Sequence, residues 1–255
     1  MSDGAPGFLD LPARASKPRS RGITHVLDKG LTLAATRSLT EHVAGLMDIV
    51  KIGWGIGYVD PLLAERIAVY AAAGVPVCLG GTLTEVVALQ DKVPQFRDWA
   101  LSVGVTHIEV SNGLQAFTPD RKTLLVKELA ADFVVLAETG SKDGSYPVTT
   151  EQWTEEMDRD LDAGATYVVA EGRESGTVGL YAADEGVHEE IVTAIAARLP
   201  IDRVIFEAPL KAQQTWFITT VGSEVNLGNI EPASVLALET LRLGLRADTA
   251  VTPSR

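Results

Sequence analysis

The sequence predicts an α/β protein: a (β/α)8 TIM barrel in a single domain. Three observations carry this. Eight short, β-branched-rich, nearly continuous apolar runs recur along the chain, with starts roughly 21 to 37 residues apart. Amphipathic helical patterns with their own start and stop signals lie between them. No linker-like change of composition divides the 255 residues. Eight βα units in about 230 residues is the arithmetic of a closed barrel. A doubly wound open sheet is the alternative, and eight units is long for one.

The runs are Thr24–Gly30 (THVLDKG), Ile49–Gly55 (IVKIGWG), Pro76–Thr82 (PVCLGGT), His107–Gly113 (HIEVSNG), Phe133–Gly140 (FVVLAETG), Tyr167–Arg173 (YVVAEGR), Val204–Pro209 (VIFEAP) and Val225–Ile230 (VNLGNI). Continuous rather than alternating hydrophobicity suits parallel strands covered on both faces. Among the helices, one is expected to start at Asp60 as N-cap with Pro61 in the first position, and to stop at Gly74. A second repeats the design at Thr118 and Pro119. A third starts at Thr149 or Thr150 with an acidic N-terminal part and stops at Gly164. The last carries Arg242 and Arg246 toward its C-terminus, where the helix dipole favours cations. The barrel is placed at residues 23–247. Residues 1–22 read as a loosely held N-terminal arm and residues 248–255 as a C-terminal tail.

The chain carries a net charge of −12. This argues against nucleic acid, whose binding relies on Lys and Arg neutralising phosphates. A small anionic substrate requires a local basic cluster working against the global field. No run approaches a membrane span. Residues 1–22 lack the apolar core of a signal peptide, so a cytoplasmic location is expected. The single cysteine, Cys78, excludes an intramolecular disulfide and sits in an apolar run, where it reads as core.

Charge in a barrel strand is tolerable only near a mouth, and active sites of this fold sit at the C-terminal mouth. The runs end in charges repeatedly: Asp28 and Lys29, Lys51, Glu109 with Ser111 and Asn112, Glu138 followed by Lys142 and Asp143, Glu171 with Arg173, Glu207 followed by Lys211, and Asn226 with Asn229. Glu109, Glu138 and Glu171, from three adjacent strands, have the layout of an oxygen-ligand site for a hard cation such as Mg2+. No His/Cys pattern suggests zinc, and His25 and His107 lie early in their strands. The spacing in GWGIG (Gly53, Gly55, Gly57) does not fit a dinucleotide fingerprint. Gly80-Gly81-Thr82 precedes a helix, whose N–H groups either hold an anion or simply form a tight turn. Gly228 and Asn229 fall where this fold usually binds phosphate.

Taken together, RGITHVLDKGL, VKIGWG, GGTLTE, IEVSNG, ETGSKD, LDAGATYVVAEGRESG, VIFEAPLKAQQTWFI and VNLGNI…LETLRLGLRADT resemble the phosphosulfolactate synthase family, over about Arg21 to Thr249. The resemblance implies a lyase that adds sulfite to phosphoenolpyruvate with Mg2+, giving (2R)-2-phospho-3-sulfolactate. The product feeds coenzyme M biosynthesis in some organisms and sulfolactate formation in others. It also implies a homo-oligomer. On this chemistry Glu109, Glu138 and Glu171 hold the metal, and Lys142 is the general acid. Arg173 and Lys51 clamp substrate carboxylate or sulfite, and Glu207 joins the catalytic set. Ser175, Gly176, Gly228 and Asn229 bind phosphate, and Lys29 and Lys211 complete the substrate-binding set. The alternatives are a related enol-phosphate lyase with another nucleophile or substrate, and a non-enzymatic stress-related barrel protein.

Overall fold

The computed structural model describes residues 7–140, 149–172, 179–182 and 186–250. Eight parallel strands close into a barrel in sequence order. They are β1 (Thr24–Asp28), β2 (Ile49–Ile52), β3 (Val77–Leu79), β4 (His107–Val110), β5 (Val134–Thr139), β6 (Tyr167–Ala170), β7 (Val204–Glu207) and β8 (Leu227–Ile230). Helix α1 (Leu33–Val43) follows β1, α2 (Ile56–Val59) and α3 (Leu63–Ala72) follow β2, and α4 (Gly81–Leu89) and α5 (Val93–Ser102) follow β3. One helix follows each later strand: α6 (Pro119–Leu129), α7 (Thr150–Asp162), α8 (Glu189–Arg198), α9 (Lys211–Thr220) and α10 (Val235–Arg242). No helix among the described residues is long and apolar enough to cross a membrane.

Strand parity divides the core in two. Val26, Val50, Ile52, Leu79, Ile108, Val135, Val168 and Phe206 belong to the larger cluster, shared with the helices. Ile23, Ile49, Cys78, Leu136, Val169 and Ile205 form a second cluster that fills the barrel. Two residues further along β2, β5 and β7, the same inward face carries Lys51, Glu138 and Glu207, and β4 adds Glu109 two residues beyond His107. The pleat therefore stacks a charged layer on an apolar plug.

The helix signals hold in most places. Thr118 accepts a hydrogen bond from Arg121 N, with Pro119 opening α6. Thr149 and Gln152 form a reciprocal capping box on α7. Gly74 and Gly164 stop their helices at φ 68° and 112°. One reading needs correction. Asp60 does not cap a helix that starts at Pro61. It follows α2, accepts a hydrogen bond from Leu62 N at 2.9 Å and ion-pairs with Arg66 at the start of α3. Arg242 does close the last turn of α10, as expected. It is buried, and its guanidinium donates to the carbonyls of Ser223, Val225 and Ile23 at 2.6, 2.7 and 3.1 Å.

The arm engages the N-terminal ends of the strands. Lys17 Nζ donates to the carbonyls of Ala44, Met47 and Gly74 at 3.0, 2.6 and 3.1 Å. Arg19 pairs with Asp48 at 3.0 Å, and Arg14 pairs with Glu239 at 3.0 Å.

Candidate active site

The C-terminal mouth opens into a cleft of about 340 Å3. Its walls include Leu27, Lys51, Trp54, Glu109, Ser111, Leu114, Glu138, Glu171, Glu207 and Asn229, with Gly81 and Thr82 at the start of α4. Lys51 Nζ lies 2.9 Å from Glu109 Oε2 and 3.0 Å from Glu207 Oε1. The second oxygen of each carboxylate is fixed by backbone: Gly81 N donates to Glu109 Oε1 at 2.8 Å and Gly172 N to Glu207 Oε2 at 3.0 Å. Two acids are thus locked by one ammonium and two amides. Burial pulls the Lys51 ammonium toward neutrality, but Glu109, Glu207 and Glu138 outweigh it and hold its pKa well above the usual lysine value.

Glu138 stands differently. Burial, then the charges of Glu109, Glu171 and Glu207, push its carboxyl well above the usual glutamate range, against the pull of Lys51. Glu138 also offers a carboxylate oxygen within 4.8 Å of oxygens of Glu109 and Glu207. Glu171, named with Glu109 and Glu138 from sequence, lines the same cleft, but the tight trio is completed by Glu207. Four carboxylates against one described cation make a donor set that suits a hard divalent ion. The residues therefore fit Mg2+.

Asn229 reaches the cleft by a local irregularity. The β1–β8 register shifts between Thr24↔Leu227 and Val26↔Ile230, and Asn229 takes φ 54°. This extra residue is a bulge, and asparagine tolerates the left-handed conformation. It turns the side chain into the cleft, where strand alternation alone would have sent it outward. Gly228 stays in the barrel: a Cβ there would meet Ile205 Cγ2 at 3.0 Å and His25 Nδ1 at 3.1 Å. Its place is one of packing, below the cleft.

Other sequence expectations land elsewhere. Asp28 faces outward between β1 and α3, where Arg66 and Tyr70 bind its carboxylate. Lys29 pairs with Glu231 at 3.4 Å and Lys211 with Asp248 at 2.8 Å, both away from the cleft wall. Strand parity explains the outward turn of Asp28, because His25 and Leu27 are the inward residues of β1. Asn112 closes its own loop, accepting from Phe117 N at 3.0 Å and donating to Phe117 O at 2.9 Å. The first turn of α4 spends the Gly81 amide on Glu109, so that donor is not available to an anion. Lys142, Arg173, Ser175 and Gly176 lie outside the described residues. Cys78 and His25 are buried core: burial pushes the thiol up, and burial followed by the charges of Lys51 and His107 pushes the imidazole down. Burial likewise takes His107 down to about 4.

Three contributors went unread in the sequence. Glu85, buried on α4, accepts from Ser111 Oγ, from Gly113 N at 3.1 Å and from Leu114 N at 2.7 Å, and so sets the β4–α6 loop beside the cleft. Its only signal is its place in GGTLTE. Lys122 on α6 donates to the Glu138 carbonyl at 2.7 Å. Tyr181 donates to the Glu207 carbonyl at 2.6 Å and packs against Gly172 so closely that a Cβ there would lie 2.3 Å from its ring.

Comparison with known proteins agrees with this architecture. The YdjI aldolase from Escherichia coli K12 superposes with a TM-score of 0.57 at 13% identity, covering 88% of this chain and 82% of that one. A 3-hexulose-6-phosphate synthase gives 0.53 at 15% identity, covering 86% and 98%. At such identities these likenesses speak to the fold alone. Sequence relatives are much nearer. A phosphosulfolactate synthase of Methanothermobacter thermautotrophicus is 41% identical over 252 residues, covering 93% of this chain and 95% of the relative. One from Bacillus subtilis is 38% identical over 244 residues, covering 94% and 97%. The family model described as (2R)-phospho-3-sulfolactate synthase (ComA) matches residues 12–248. This chain therefore belongs to the phosphosulfolactate synthase family, and the acid-lined mouth is the place to look for that activity.

Proposed function

We propose that this enzyme adds sulfite to phosphoenolpyruvate with the help of Mg2+, giving (2R)-2-phospho-3-sulfolactate. The observation that supports it most is the charge balance of the mouth. Glu109, Glu138, Glu171 and Glu207 surround the cleft with Lys51 as the cation among the described lining residues. Polyanionic substrates are repelled by such a ring unless a cation lies between. Glu109, Glu138 and Glu207 would hold it, with Glu171 beside them. When bound there, Mg2+ supplies Lewis-acid stabilisation of negative charge developing on the substrate.

The remaining work belongs to the chain. The sulfur lone pair of sulfite forms the new bond to C3. The C2–C3 π pair moves toward the substrate carboxylate, and a proton delivered to one face of C2 completes the addition. Lys51 spends two of its three N–H donors on Glu109 and Glu207, which leaves one to meet a substrate oxygen as charge builds. Asn229, on β8, offers an amide from the cleft wall. Lys142 is assigned the proton at C2, and Arg173 a substrate anion, on the strength of the motifs that carry them. Mass spectrometry of a reaction of phosphoenolpyruvate and sulfite tests the reading. The expected product has the mass of both reactants plus the proton taken up. Hydrolysis to pyruvate and phosphate, or no change, would reject sulfite addition.

A further inference from the structure

Trp54 lies where a tryptophan is conformationally misplaced. Its φ is 51°, in the left-handed region that bulky residues avoid. The turn is closed by Ile56 N donating to Gly53 O at 3.1 Å, which makes Trp54 its first central residue. Positive φ at that position ordinarily selects glycine, asparagine or aspartate. The chain does hold glycines at Gly53 and Gly55, on either side, yet neither has positive φ. The strained position carries the largest side chain available.

The backbone around it is firmly held. Gly53 N donates to Asp28 O at 3.0 Å, and Gly80 N to Ile52 O at 3.0 Å. A Cβ on Gly80 would come within 2.8 Å of Trp54 N, so the turn is packed directly against the start of α4. The indole is not used in the core. It is 40% exposed and lines the cleft, and Leu114, 50% exposed, lines it too. These are the two exposed large apolar side chains of the described cleft wall; the rest of the charged layer is deeply buried. Glu85 holds Leu114 by its backbone amide at 2.7 Å. A strained residue that survives at a site, with its side chain aimed at the reacting space, points to use of that side chain.

We propose that Trp54 is a covering residue: its indole closes with Leu114 over substrate bound at the acid ring and excludes water from it. Removing water strengthens each charge interaction beneath and shelters the negative charge that builds during addition. This rests on the proposed reaction, and the test separates the two. Sulfite-dependent turnover of phosphoenolpyruvate is measured for the full chain and for Trp54→Phe and Trp54→Gly, together with the melting temperature of each. Glycine relieves the positive φ, so Trp54→Gly is expected to melt no lower than the parent while kcat/KM falls by about 100-fold. Trp54→Phe keeps an apolar ring and is expected within about 5-fold of the parent. Should Trp54→Gly fold poorly, Trp54→Asn, which also tolerates this conformation, replaces it with the same expectation. A further readout is acrylamide quenching of the emission lost in Trp54→Phe; phosphoenolpyruvate is expected to protect it. Full turnover in Trp54→Gly overturns the inference alone. Equal losses in Trp54→Phe and Trp54→Gly also overturn it, because a cover needs only an apolar ring. An inactive parent enzyme rejects the sulfite reading and this inference with it.

Discussion

Glu138 shares a buried space with Glu109, Glu171 and Glu207, and Lys51 is already engaged by two of these. Its raised pKa has a definite thermodynamic sign. The folded chain binds a proton that the unfolded chain releases near 4.5, so this group lowers stability progressively as pH rises above that value. Glu138→Gln removes the penalty. The variant is expected to melt higher than the parent at neutral pH, with a gap that widens from acid to neutral, while turnover falls by about 100-fold or more. Scanning calorimetry across pH checks the first part. The same instrument tests the metal: added Mg2+ is expected to raise the parent's melting temperature and to leave Glu138→Gln nearly unmoved. Lys51→Met has the opposite stability sign, because it leaves Glu109 and Glu207 buried without their cation; a loss of about 3 kcal/mol in urea unfolding is expected. The acid residues were legible in the sequence, since charge ending an apolar run is itself anomalous. Asp28 was misplaced because a run apolar on both faces does not reveal which parity points inward; Lys29 shares the inward parity of Leu27 but lies past the end of β1, where it pairs with Glu231 instead. Asn229 was named, but the bulge that aims it could not be read.

At the scale of elements, α6 and α7 show how the ring is supported from outside. The buried stripe of α6 is Lys122, Leu125, Val126 and Leu129, and that of α7 is Trp153, Thr154, Met157 and Asp160. Each stripe contains one charge, and the two meet: Lys122 Nζ lies 2.7 Å from Asp160 Oδ2 and 2.6 Å from Glu156 Oε1. Its remaining donor reaches the Glu138 carbonyl, tying both helices to β5. Breaking such a buried pair on one side costs about 3–5 kcal/mol, whereas replacing both partners by apolar residues can be nearly neutral. Lys122→Met is therefore expected to destabilise strongly, and Lys122→Met with Asp160→Leu to recover most of the loss in the same denaturation experiment. In the linear sequence, Lys122 within TPDRKTLLVKELAAD looks like any solvated helix lysine. Only its helical phase places it on the stripe, and only tertiary packing supplies Asp160. Glu85 was hidden in the same way, as a polar residue on the buried side of α4.

For the whole molecule, the two ends of the barrel divide the labour. The C-terminal mouth gathers carboxylates that cost stability. At the N-terminal ends of the strands, Lys17 and Arg19 of the arm and Arg242 of α10 satisfy carbonyls and Asp48. Removing residues 1–20 is expected to lower the melting temperature by several degrees and to leave the KM for phosphoenolpyruvate within about 2-fold, as bottom-face contacts serve stability in this fold. The barrel itself was legible because eight apolar runs and their helix caps repeat at regular spacing; the arm's anchoring was not, since Lys17 and Arg19 reach carbonyls that the sequence does not mark. The most direct test of the function is 31P NMR of phosphoenolpyruvate with the purified protein, sulfite and Mg2+, with and without EDTA. A new phosphate-ester resonance that requires both sulfite and free metal ion is the expected result. An unchanged phosphoenolpyruvate signal from folded protein, or a new ester that forms equally well in EDTA, would contradict a metal-assisted addition of sulfite at the acid-lined mouth.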